Sequence, residues 1–164
     1  MEDISDLVER LDHTALAVHD VAEAAGLLRS TGGEFFEGGD STHGDFRWVQ
    51  FVMPAGAKLE LIAPRSPRSF LTSFLSKRGE GLHHVTLKVT DLAQAVTRLE
   101  SIGHRIVGHV RLHDNWAEAF VHPSSAHGTL IQLAEWDDAI PSGSSDWDAV
   151  IRGDVVDDAP VDDR

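Results

Sequence analysis

The sequence predicts an α+β fold built of two pseudo-symmetric β-α-β-β-β modules. A long internal repeat and the same succession of hydrophobic periods in each copy predict it. Residues 11–28 read LDHTALAVHDVAEAAGLL and residues 82–99 read LHHVTLKVTDLAQAVTRL. Aligned without gaps they share eight of eighteen positions, including His13/His84, Asp20/Asp91 and Leu28/Leu99. FVMP at 51–54 is echoed by FVHP at 120–123, and LELIA at 59–63 by IQLAE at 131–135. The second copy holds three more residues between these echoes.

Each copy opens with alternation over eight residues, the period of a half-buried strand. Asp20 and Asp91 then stand at helix N-cap positions, with Glu23 and Gln94 three residues on, as in a capping box. Val21, Ala24, Ala25 and Leu28 make one apolar helical face, and Leu92, Ala95, Val96 and Leu99 make its twin. Gly32–Gly33 and Gly103 are helix stops. Three strand-like runs follow each helix, at 34–38, 46–53 and 58–63, then at 105–111, 116–122 and 129–134. Residues 65–80 are expected as a linker helix, because Phe70, Leu71, Phe74 and Leu75 have helical spacing. The expected layout is one domain over 1–136, with module one at 9–64 and module two at 81–136. Residues 137–164 carry nine Asp and few large apolar residues besides Trp147, and are expected as a weakly ordered acidic tail. A terminal element docked through Trp147 is the alternative.

Composition narrows the function. The 164 residues carry 14 Lys+Arg against 27 Asp+Glu, a formal charge of −13, which makes a nucleic-acid backbone an unsuitable partner. There is no cysteine, so thiolate metal sites, disulfides and cysteine nucleophiles are excluded, and the ten histidines become the donors for any metal. No apolar run reaches membrane-spanning length. The stretch MEDISDLVER lacks a basic-then-apolar signal pattern, so a cytoplasmic location is expected.

Strand parity makes the repeat informative about chemistry. In the first strand, Leu16 and Val18 oppose His13, Ala15 and Ala17; in its twin, Val85, Leu87 and Val89 oppose His84, Thr86 and Lys88. Glu60 points away from Leu59 and Leu61, as Gln132 does from Ile131 and Leu133. Each copy therefore offers one histidine and one side-chain oxygen. His13, Glu60, His84 and Gln132 suit a borderline divalent metal: Co, Zn, Ni, Mn or Fe. Glu60 is the sole anion of the four, so a bound ion would keep roughly one net positive charge, which favours Lewis-acid work on a ligand oxygen.

LDHTALAV, KLELIAP, FLSKRGEGLHHVTLKVTDL, FVHP and GTLIQL together resemble the vicinal oxygen chelate (glyoxalase/bleomycin resistance/dioxygenase) superfamily, and most resemble its methylmalonyl-CoA epimerases, over about residues 9–136. The resemblance implies a curved mixed sheet around a metal-binding cleft, with His13, Glu60, His84 and Gln132 as the metal ligands. His83 belongs to the opposite strand face. Gln132 departs from the Glu often found there in the epimerases. The implied activity is that of a metal-dependent isomerase or lyase, foremost an acyl-CoA epimerase working by α-proton transfer with a stabilised enolate. A glyoxalase I-like lyase, an extradiol-type dioxygenase and a non-enzymatic binding or resistance protein are the alternatives.

The family's general base is a Glu ahead of the third strand. Here that stretch reads EGGDSTHGDFRW, with His43 nearest the matching place and Asp45 next. LHDNW at 112–116 replaces a Gly-rich segment and offers His113 or Trp116 to the pocket. Arg65, Arg68, Lys77 and Arg78 form a basic stretch with no acid among them, suited to the phosphates of CoA or solvated on a helix. The expected partner is a small molecule such as an acyl-CoA, without nucleic acid or membrane. A homodimer is compatible with the sequence.

Overall fold

The computed structural model describes residues 3–113 and 115–156. The element order is β1 (Val8–Ala17), α1 (Val21–Ser30), β2 (Glu34–Ser41), β3 (Phe46–Val52), β4 (Lys58–Pro64), α2 (Phe70–Arg78), β5 (Gly81–Val89), α3 (Leu92–Ser101), β6 (Ile106–His113), β7 (Trp116–Val121), β8 (Leu130–Glu135) and α4 (Trp147–Arg152). The β-α-β-β-β order thus occurs twice, as the repeat requires. The strands form one eight-stranded sheet in the order β2-β3-β4-β1-β5-β8-β7-β6. Its pairings are mixed: β5 and β8 run parallel, while β3 with β4 and β7 with β8 are antiparallel.

Local signals act where the sequence put them. The Asp20 carboxylate accepts from the amides of Ala22 and Glu23, and Asp91 from that of Gln94, so each satisfies N–H groups that the first helical turn leaves open. The chain leaves α1 through Gly32, at φ 89°, where a side chain would be strained.

The chain divides into two compact units. Residues up to His13 join His83–Ile140, and Thr14–Leu82 joins the segment from Pro141. The division falls inside β1 because its two ends bury different residues. Leu7 and Val8 pack with Val89, Leu92, Ala95, Val96, Ala119 and Leu133 around α3. Leu16 and Val18 pack with Val21, Ala25, Leu28, Phe51 and Leu61 around α1. A third cluster, of Ala15, Ala17, Trp48, Ile62, Leu71 and Leu75, seats α2. α2 thus packs within the unit that holds α1.

Of the segment expected as an acidic tail, residues 137–156 are described and include α4; residues 157–164 lie outside the described residues. Val150 of α4 is fully buried against the α1 cluster. Trp147 packs edge-on against Phe35, with ring centroids 5.1 Å apart, and Arg29 lies 4.2 Å above its ring. Backbone bonds join Ser144 to Gly38 in both directions, and the Asp40 amide donates to the Val155 carbonyl. Arg47, paired with Asp40, also donates to the Ile151 carbonyl. A Cβ at Gly143 would stand 2.5 Å from the Gly38 carbonyl oxygen, so this crossing demands glycine. Composition hid the element because its few apolar side chains fill a pocket prepared by other strands. Trp147→Ala is expected to destabilise the protein by about 2–3 kcal/mol, below the cost for a fully buried aromatic because Trp147 is only half-buried. Urea unfolding would read it, and an unchanged midpoint would contradict the docking of α4.

Candidate metal centre

The face of β5, β7 and β8 turned away from α3 is polar. Ala117, Ala119, Val121 and Leu133 fill the α3 core, so alternation sends Trp116, Glu118, Phe120 and Gln132 to the other side. Thr86 stands opposite Gln132 in the parallel ladder, with His84 two residues before it. His13, His84, Thr86 and Gln132 are all buried.

These side chains stand in a close polar series. His13 Nδ1 lies 2.9 Å from Asp12 Oδ2, and His13 Nε2 lies 2.9 Å from Thr86 Oγ1. A carboxylate only accepts, so Asp12 favours a proton on Nδ1 and fixes the ring's orientation. The Thr86 hydroxyl donates to Gln132 Oε1 at 2.6 Å, and Gln132 Nε2 donates to Glu118 Oε2 at 2.7 Å. The Trp116 indole donates to the same Glu118 oxygen at 3.0 Å. The His13 and His84 rings meet edge-on at 5.8 Å. Burial pushes the His84 imidazole well below its ordinary value; charge on His13 and His83 adds to this, and a hydrogen bond with Gln132 opposes it. A neutral imidazole is the form that offers a lone pair to a metal.

On β4, Glu60 is buried and accepts from Gln50 Nε2 at 2.9 Å, its partner across the β3–β4 ladder. Two imidazoles and one carboxylate, all buried, form a group that could bind a divalent metal.

The sequence singled out further residues, each with its own surroundings. His43 is exposed in the β2–β3 turn. Asp45, in the same turn with φ 52°, accepts a short hydrogen bond from Ser66. Arg65 is 3.0 Å from Asp40, so the basic stretch is partly neutralised by acids distant in sequence. Arg68, Lys77 and Arg78 are exposed on α2 and the loop before it, and Arg78 lies 5.7 Å from the Phe74 ring centroid. His113 accepts from the Asn115 amide. Trp116 stacks on Trp136 at 4.9 Å and 22°. His83 Nδ1 is 2.8 Å from His84 Nδ1. Sequence reasoning did not single out Asp12, Gln50 or Glu118. Alternation along WAEAFV carried the signal for Glu118.

A second polar cluster supports β1 and β5. Lys88 is buried, with Nζ 2.9 Å from both Glu9 and Asp138. Arg10 holds Asp138 through both carboxylate oxygens. Hydrogen bonds from Arg10 and then Lys88 keep Asp138 below the usual carboxylate range. A depressed carboxylate contributes stability above its unfolded value, 3.8, and loses it as pH falls below that. Asp138→Asn is expected to lower the melting temperature near neutrality, by an amount that shrinks below about pH 4. A constant difference across that range would contradict the pairing.

The superfamily model for "Glyoxalase/Bleomycin resistance protein/Dioxygenase superfamily" matches residues 12–120. The chain belongs to this superfamily. An ethylmalonyl-CoA/methylmalonyl-CoA epimerase of Cereibacter sphaeroides is 30% identical over 134 residues, covering 79% of this chain and 99% of the relative. The crystal structure of a methylmalonyl-CoA epimerase from Mycobacterium tuberculosis is 31% identical with a TM-score of 0.75, covering 85% of this chain and 95% of that one. A methylmalonyl-CoA epimerase in complex with methylmalonyl-CoA and NH4+ is 25% identical with a TM-score of 0.72, covering 80% and 96%. Homologues and structural neighbours of this superfamily member are thus methylmalonyl-CoA epimerases, and they support its being an enzyme of the glyoxalase superfamily. Among the described residues no helix is long and apolar enough to cross a membrane.

Proposed function

We propose that the chain is a divalent-metal-dependent epimerase of methylmalonyl-CoA or a close acyl-CoA. The group formed by His13, Glu60 and His84, in a chain whose relatives carry that name, is the observation that carries this reading. His13, Glu60 and His84 would hold the ion, with the Gln132 oxygen as a fourth ligand. When bound, the ion supplies a Lewis acid for a ligand oxygen beside the reacting carbon.

The chain's own residues do the rest. Asp12 orients His13, and the buried surroundings of the two imidazoles exclude water. His43 is assigned as the base that takes the α-proton. Asp45 is second to it, because its carboxylate already accepts from Ser66 and faces Arg65. Return of the proton to the opposite face inverts the centre. Arg68, Lys77 and Arg78 are assigned to the CoA phosphates, while Arg65 is engaged with Asp40.

The test uses one stereoisomer of methylmalonyl-CoA. The expected result is racemisation that a chelator stops and added Co(II) or Zn(II) restores. Two histidines and a carboxylate also match the ferrous triad of oxygenases. Oxygen uptake with a catechol, without racemisation, would replace this reading with that one.

A further inference from the structure

Gln132 and Glu118 form a pair that the proposed reaction has not used. Glu118 Oε2 accepts both from Gln132 Nε2 and from the Trp116 indole, so it is held as an acceptor. An amide has one oxygen and one NH2 group. With its NH2 turned to a carboxylate, Gln132 must turn its oxygen the other way, toward Thr86, whose hydroxyl also contacts His13. The reversed amide would set oxygen against oxygen at Glu118. A carboxylate at 132 would do the same with two charges.

A comparable pair stands on β3 and β4, in the opposite order. There the carboxylate, Glu60, is on the last strand of the module and the amide, Gln50, is on its neighbour. On β7 and β8 the amide is on the last strand and the carboxylate on its neighbour. Each module thus holds one carboxylate and one amide, and the two have exchanged strands.

We infer that Glu118 is a positioning residue for metal binding. It sets the Gln132 amide so that the oxygen is the ligand atom, and it supplies from the adjacent strand the negative charge that Gln132 lacks. This rests on the reading of Gln132 as a ligand. It also accounts for the departure from Glu at that position, since Glu118 already occupies the place of the charge.

Titration of the metal-free protein with Co(II), followed calorimetrically, tests it in four forms: wild type, His84→Ala, Glu118→Gln, and the exchange Glu118→Gln with Gln132→Glu. Glu118→Gln is expected to weaken binding about tenfold, within the range for partners of metal ligands. The exchange is expected to return affinity to within about threefold of wild type or better, a rescue that a merely structural role would not give. Unchanged affinity in Glu118→Gln, or no recovery in the exchange, overturns the inference while the metal reading stands. A wild type that binds no Co(II), or binding that survives His84→Ala, overturns the metal reading and this inference with it. Should Glu118→Gln fail to fold, the exchange decides alone: wild-type-like binding supports the pairing and lost binding overturns it.

Discussion

Replacing His13 and His84 together by alanine is expected to reduce bound divalent metal to background and to abolish turnover of an acyl-CoA. The imidazoles are two of the three side chains of the candidate metal group, and both are buried. Partners of metal ligands alone are worth about 10–100-fold in affinity, so loss of two ligands should exceed 100-fold. Metal analysis of the purified variant checks this, and a melting curve controls for folding. The control matters because His13→Ala removes one partner each from Asp12 and Thr86, which keep Arg10 and Gln132. A folded double variant that keeps its metal would exclude these residues as the site.

Glu60→Gln is expected to have effects of opposite sign on binding and on stability. Glu60 is the one carboxylate in the group and is buried. The substitution keeps its shape and leaves an oxygen to accept from Gln50. Metal affinity should fall about 100-fold as the anionic ligand becomes an amide, whereas the metal-free protein should melt no lower than wild type, because a buried charge has been removed. Calorimetric titration and thermal melting of the same preparation read the two effects. A loss of stability without a loss of metal affinity would make Glu60 a structural residue.

The sequence made one half of this architecture more legible than the other. The repeat carried the strand and helix order, Asp20 and Asp91 as caps, and His13 with His84, because each signal is local and occurs twice. Gln132 was singled out through its twin Glu60, although an amide alone suggests no metal. Glu118 was missed for a definable reason. The echo FVMP/FVHP equates Phe51 with Phe120, yet Gln50 stands across from Glu60 and Phe120 stands across from Gln132. The two copies are therefore out of step by one residue on this strand, and a one-residue slip reverses every face. Phe51 fills the α1 core, whereas Phe120 lies 6.4 Å from the His84 ring. α4 escaped because its burial depends on Phe35, Arg29 and Arg47, which are distant in sequence and carry no local mark of it.

Proton exchange is the most direct measurement of the central proposal. The metal-loaded enzyme would be incubated with methylmalonyl-CoA in heavy water and the product analysed by mass spectrometry. Uptake of one deuteron at the α-carbon is expected, abolished by chelation and absent in the His13→Ala/His84→Ala variant. No uptake above the uncatalysed rate, or uptake indifferent to both chelation and the double substitution, would contradict a metal-dependent epimerase built on these residues.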